Sequence, residues 1–91
     1  MSAIDIPEEA RLKYIERRKT DLENCRKALA EQDFTTLARV GHQVKGNATT
    51  FGFDELSTIA IELEDLALKK DVSGLTKVIS QFTQFLVGLK S

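Results

Sequence analysis

Asp33-Phe-Thr-Thr-Leu37-Ala-Arg39-Val40-Gly41-His42-Gln43-Val44-Lys45-Gly46-Asn47-Ala48-Thr49-Thr-Phe51-Gly52 is the stretch that decides the fold. Leu37, Val40, Val44, Ala48 and Phe51 recur at intervals of three and four, the rhythm of a helix with one apolar face. Asp33 stands where an N-cap belongs, because its carboxylate can accept from the free N–H groups of a first helical turn. Gly52 suits the left-handed residue that ends a helix, and Asp54 is placed to cap the next one. The connection is therefore tight and the two neighbours should run antiparallel.

Working outward, Leu56, Ile59, Ala60, Leu63, Leu66 and Ala67 form one face of a third segment that runs to Lys69-Lys70, with Asp71 closing it. Upstream, Asp5-Ile-Pro7-Glu-Glu9 reads as a helix start, with proline in the first turn and two glutamates at the positive end of the dipole. From Pro7 to about Ala30, Leu12, Ile15, Leu22, Cys25 and Leu29 make the apolar stripe, and Arg18 and Lys19 interrupt it, either exposed or snorkelling. A last segment from Ser73 to Leu89 carries Leu75, Val78, Ile79, Phe82, Phe85, Leu86 and Leu89. Its β-branched and aromatic content would suit a strand, but one strand has no pairing partner and the segment has helix length. Four amphipathic helices with short connections predict an all-α fold, an antiparallel up-down-up-down four-helix bundle, as a single domain over residues 1–91.

Composition agrees. Ninety-one residues suffice for one small core, and 13 basic against 14 acidic residues give a net charge of −1. That balance, without interleaved aromatic and basic residues, argues against nucleic-acid binding. One proline and five glycines are too few turn formers for a β-sandwich. No stretch has the length and apolarity of a membrane span or a signal peptide, so a cytoplasmic protein is expected. The single cysteine, Cys25, cannot form an internal disulfide, which fits a reducing compartment. One histidine and one distant cysteine make no metal-ligand set, and no glycine-rich phosphate loop is present to hold ATP. A monomer is expected, because each helix has one apolar stripe and the core uses it.

His42 is the only histidine. At the helical pitch it points about 160° from the centre of its helix's apolar face, so the ring belongs to the solvent side. Ala38, Gly46 and Thr49 share that side and are small. Arg39 and Lys45 lie three residues before and after it, and Gly41 and Gly46 flank the site although each costs about 1 kcal/mol against alanine inside a helix. Close approach of another backbone or of a partner is the physical reason to keep glycine there, and tight helix packing could account for Gly41.

His42-Gln-Val-Lys45-Gly46 resembles the motif of histidine-containing phosphotransfer domains, the four-helix phosphocarriers of two-component phosphorelays. Asn47-Ala48, Phe51-Gly52-Phe53, Leu56 and Leu63-Glu64 extend the similarity. The resemblance implies a phosphoryl group accepted on His42 from a receiver-domain aspartate and passed to another receiver. Imidazole, with a reference pKa of about 6.5, offers a neutral nucleophilic nitrogen at cytoplasmic pH. The resemblance also places Glu64 beside the ring, where it would accept a hydrogen bond from Nδ1–H and leave Nε2 as the attacking atom, while Lys45 would supply a cation to the phosphoryl oxygens. Arg39, Gln43, Gly46 and Thr49 are the candidate docking residues. The implied partners are response-regulator receiver domains, bringing their own Mg2+, and a hybrid histidine kinase; no cofactor or metal is assigned to this chain. The alternative is a helical adaptor with no phosphotransfer activity, in which Glu64 merely balances Lys45.

Overall fold

The computed structural model describes residues 7–89. Asp5 and Ile6, read above as the approach to the first helix, lie outside the described residues. Four helices follow one another: α1 (Glu8–Ala30), α2 (Phe34–Ala48), α3 (Asp54–Leu68) and α4 (Val72–Gly88). Each packs on the next and α4 returns to α1, with α2 and α3 in the most extensive contact. Tyr14 near the start of α1 stacks on Phe51 after α2 and Phe53 before α3, and Phe53 meets Phe85 near the end of α4 edge-on. The starts of α1 and α3 thus share one end of the bundle with the ends of α2 and α4, the arrangement of an up-down-up-down bundle.

All three connections use the same device. Gln32, Gly52 and Lys70 have positive φ, and the N–H of the following residue reaches back five positions: Asp33 to Ala28 O at 2.7 Å, Phe53 to Ala48 O at 2.9 Å, Asp71 to Leu66 O at 3.0 Å. These bonds satisfy carbonyls that a helix end leaves free, and the residue that makes each one is also the N-cap of the next helix. Asp33 caps α2 by accepting from Thr36 N, and Asp71 caps α4 by accepting from Gly74 N. Asp54 does not cap α3. It is the first helical residue, acting with Glu55 on the dipole, and Phe53 holds the cap position without a side-chain bond. Helix α2 stops at Ala48 rather than at Gly52, and α4 begins at Val72 rather than Ser73.

The core is built from Leu37, Val44, Leu56, Leu63, Leu75, Val78 and Phe82, with Cys25 fully buried among them. Burying each of the large aliphatic or aromatic groups contributes roughly 1.5–3 kcal/mol. The α1 stripe differs from the expected one. Tyr14, Arg18, Leu22, Cys25 and Ala28 face inward, Ile15 and Leu29 are half-buried, and Leu12 is 60% exposed. Arg18 lies in the register of the buried stripe, with its guanidinium 4.4 Å from the Tyr14 ring centre and its Nε 2.8 Å from the Asp21 carboxylate. The Asp21 contact is an ion pair without hydrogen-bond geometry, and a cation paired and stacked in this way can occupy a place that apolarity alone would deny it.

Candidate functional site

The site lies where α2 and α3 touch. Gly41 is buried, and a Cβ placed on it would stand 2.7 Å from Glu64 N, 2.9 Å from Ala60 O and 3.0 Å from Glu64 Cα. Only a residue without a side chain lets the two backbones come this close. Nearby, the Ser57 hydroxyl donates to Lys45 O at 3.4 Å. Helix packing therefore explains Gly41. It does not explain Gly46, where an added Cβ would meet nothing within 4 Å.

His42 follows Gly41 and stands outward, its side chain 69% exposed. Its Nδ1 lies 3.1 Å from Glu64 Oε2, and Lys45 Nζ lies 2.6 Å from Glu64 Oε1. One carboxylate thus serves both neighbours, each through a separate oxygen. The hydrogen bond from Lys45 is the main reason the Glu64 carboxyl is held below its ordinary range; partial burial opposes this, and the contact with His42 adds to it. An ionised carboxylate can only accept. The proton in the His42 contact must therefore sit on Nδ1, which in the neutral ring leaves Nε2 with a free lone pair. Glu64 therefore touches both groups named for it in the sequence reading, the His42 ring and Lys45. Lys45 is half-buried and engaged with Glu64 rather than free.

Gln43, Gly46 and Thr49 are exposed, with Thr49 just beyond the helix end. Arg39 is also exposed, but it borders the groove that α2 makes with Asn24 and Lys27 of α1, on the side away from Glu64. Ala38 is half-buried and packs against the core, so the open strip beside His42 is narrower than the sequence suggests. Asn47, which enters the sequence reading only through the family resemblance, accepts from the Tyr14 hydroxyl and from Arg18 Nη1 and so ties α2 to α1. The signal for it was Arg18 itself, a charge in the register of a buried stripe.

Cys25 is remote from this surface, and burial, with a smaller push from Asp21, raises its thiol to about 12. A thiol so seldom ionised is a packing group. Among the described residues no three His, Cys, Asp or Glu side chains gather as metal ligands, and no helix is long and apolar enough to cross a membrane.

A four-helix bundle that turns a single imidazole to solvent beside an ionised carboxylate has the makings of a phosphoryl-carrying domain. The family model described as the Hpt domain matches residues 9–90, nearly the whole chain, and the protein belongs to that family. Membership implies histidine phosphotransfer in two-component phosphorelays, where such domains interact with receiver domains and kinases. No curated protein and no solved structure matches the chain at a significant level.

Proposed function

We propose that this chain is a phosphocarrier that takes a phosphoryl group on His42 Nε2 from the phospho-aspartate of one receiver domain and gives it to the aspartate of another. The observation that carries the reading is the outward ring held through Nδ1 by Glu64 at 3.1 Å. In the forward step the Nε2 lone pair forms the N–P bond as the acyl-phosphate O–P bond breaks. The receiver aspartate leaves as a carboxylate, and the ring keeps its Nδ1 proton against Glu64. The return step is the same displacement in reverse on the second receiver. Such transfer asks mainly for in-line placement and for charge near the equatorial oxygens. Lys45, on a flexible stem beside Glu64, is the cation in reach. The divalent metal belongs to the receiver. Arg39, Gln43, Gly46 and Thr49 form the α2 part of the docking face, and the carrier acts as a monomer.

The test is incubation with phosphorylated receiver domains. The chain should acquire an acid-labile, alkali-stable phosphate, and His42→Gln should retain the helical fold and acquire none. Label on the variant would sink the assignment to His42, and absence of label from the wild type with every receiver tried would favour the adaptor reading.

A further inference from the structure

We propose that Gly41 is a positioning residue for His42: by letting the α2 and α3 backbones touch, it sets Glu64 at hydrogen-bond distance from Nδ1 and so selects the tautomer that frees Nε2. The kinetic consequence rests on the phosphocarrier reading; the structural one does not.

Gly41 is set apart from the other glycines by what it faces. An added Cβ at Gly46, Gly52 or Gly88 would meet nothing within 4 Å, and at Gly74 it would meet the side chains of Leu66 and Asp71, which can swing away. At Gly41 the three nearest atoms are all backbone of α3, at 2.7–3.0 Å, and two of them belong to Glu64. Backbone inside a helix cannot yield alone, so alanine at position 41 must push α3 as a body away from α2. The displacement falls directly on the residue whose carboxylate holds the ring.

The contact it disturbs has little slack. His42 Nδ1 to Glu64 Oε2 is 3.1 Å, near the long end of an ordinary N–H···O bond, so a few tenths of an ångström weaken it substantially. Lys45 starts from 2.6 Å and has a four-carbon stem that can follow the carboxylate. The imidazole has two side-chain torsions and cannot follow without turning. Gly41→Ala should therefore detach His42 from Glu64 while leaving the Lys45–Glu64 pair intact. A glycine that served packing alone would change stability and leave the ring untouched.

The experiment is 15N–1H correlation spectroscopy of the His42 ring in the full chain, above the pH at which imidazole protonates. Wild type, Gly41→Ala and Gly88→Ala are compared, the last being the same substitution at an open helical position. Gly41→Ala should move the ring from the Nδ1–H form towards the Nε2–H form, and Gly88→Ala should leave it as in wild type. With phosphoramidate as donor, which needs no docking surface, Gly41→Ala should accept phosphate about tenfold more slowly, the scale of losing a partner that orients a histidine. In a Glu64→Ala background Gly41→Ala should cost nothing further, because Gly41 acts through Glu64. A wild-type tautomer in folded Gly41→Ala, or an equal rate loss without the Glu64 carboxylate, would overturn the proposal. If Gly41→Ala alone unfolds, the Gly41→Ala/Gly88→Ala pair in a stabilising osmolyte provides the same spectroscopic comparison. A wild type that accepts no phosphate would sink the carrier reading, while the tautomer comparison still decides Gly41.

Discussion

Gly46 offers a substitution whose effects on stability and on partner-dependent transfer should have opposite signs. It lies in α2, two residues before the last helical one, and a Cβ added there meets nothing within 4 Å. Gly46→Ala therefore recovers helix propensity with no steric cost, up to about 1 kcal/mol and less where the last turn frays. For a domain of this size 1 kcal/mol corresponds to roughly 4–8 °C in Tm, so a rise of a few degrees is expected. Gly46→Leu should gain a similar amount. Position 46 lies one turn after His42, and side chains on a helix lean over the preceding turn, so leucine there overlies the turn that presents the ring. On the phosphocarrier reading a receiver has to seat its aspartate across that strip, whereas a small phosphodonor does not. The assay is the ratio of receiver-dependent to phosphoramidate-dependent phosphorylation, read beside thermal unfolding. Gly46→Leu should lower that ratio at least about tenfold, equivalent to about 1.4 kcal/mol of lost transition-state stabilisation, while Tm rises. A wild-type ratio would remove Gly46 from the docking face, and a fall in Tm would refute the argument from open space.

Two further perturbations probe charges. Lys45→Met removes the main reason the Glu64 carboxyl sits low. In wild type the stability tied to that carboxylate is present above the unfolded-state pKa and is lost as pH falls through the depressed folded value. In the variant the folded value rises towards the unfolded one, so less stability is tied to the carboxylate and the pH window over which it is lost narrows from its acid end. Carboxyl 13C titration should show Glu64 moving upward, and an unmoved titration would mean that Lys45 does not hold it. Arg18→Leu deletes the cation that bridges Tyr14, Asp21 and Asn47 and should cost about 1–3 kcal/mol by urea denaturation, since the ion pair is mostly but not wholly buried. The Asp21 carboxyl, already held above its ordinary range by burial and lowered by Arg18, should rise further. An unchanged denaturation midpoint would show the bridge to be neutral for stability.

The helices were legible in the sequence wherever apolar residues alone define the buried face. The stripes of α2 and α3 face inward as their spacing predicts, apart from Leu66 and Phe51, which are half-buried, and Asp33 caps as expected. Reading failed where burial is achieved by other means. Arg18 is buried because Tyr14, Asp21 and Asn47 receive it, a set assembled from two helices that no local window contains. Leu12 was counted as core for its apolarity, yet the register running through Tyr14 and Arg18 leaves it facing outward. Gly52 was legible as a helix stop because glycine tolerates positive φ, whereas Gln32 and Lys70 adopt the same conformation without advertising it. At the site, the outward direction of His42 followed from helical pitch. The sharing of Glu64 between His42 and Lys45 depends on how closely α2 and α3 approach, a distance fixed by tertiary packing at Gly41.

That shared carboxylate bears on why such a site would carry a phosphoryl group rather than keep it. With a neutral ring, Lys45 and Glu64 cancel, and His42 faces solvent from a locally uncharged triad. A phosphoryl group on Nε2 brings close to two negative charges, while the ring, which keeps its Nδ1 proton, becomes a cation against the ionised Glu64 carboxylate, so the site as a whole gains negative charge. Lys45 can turn towards the new oxygens only by loosening its hold on Glu64, which then keeps the cationic ring as its partner. At an exposed position water screens the net negative charge, and the loaded form is left without a cation of its own for each phosphoryl charge. On the phosphocarrier reading, a receiver that brings a divalent cation supplies positive charge at the moment of contact and takes the phosphoryl group with it. A second lysine or arginine built around His42 would make a better trap and a poorer carrier. The outward ring, the single engaged lysine and the carboxylate behind it are therefore consistent with transfer in either direction, with the partners setting which way it runs.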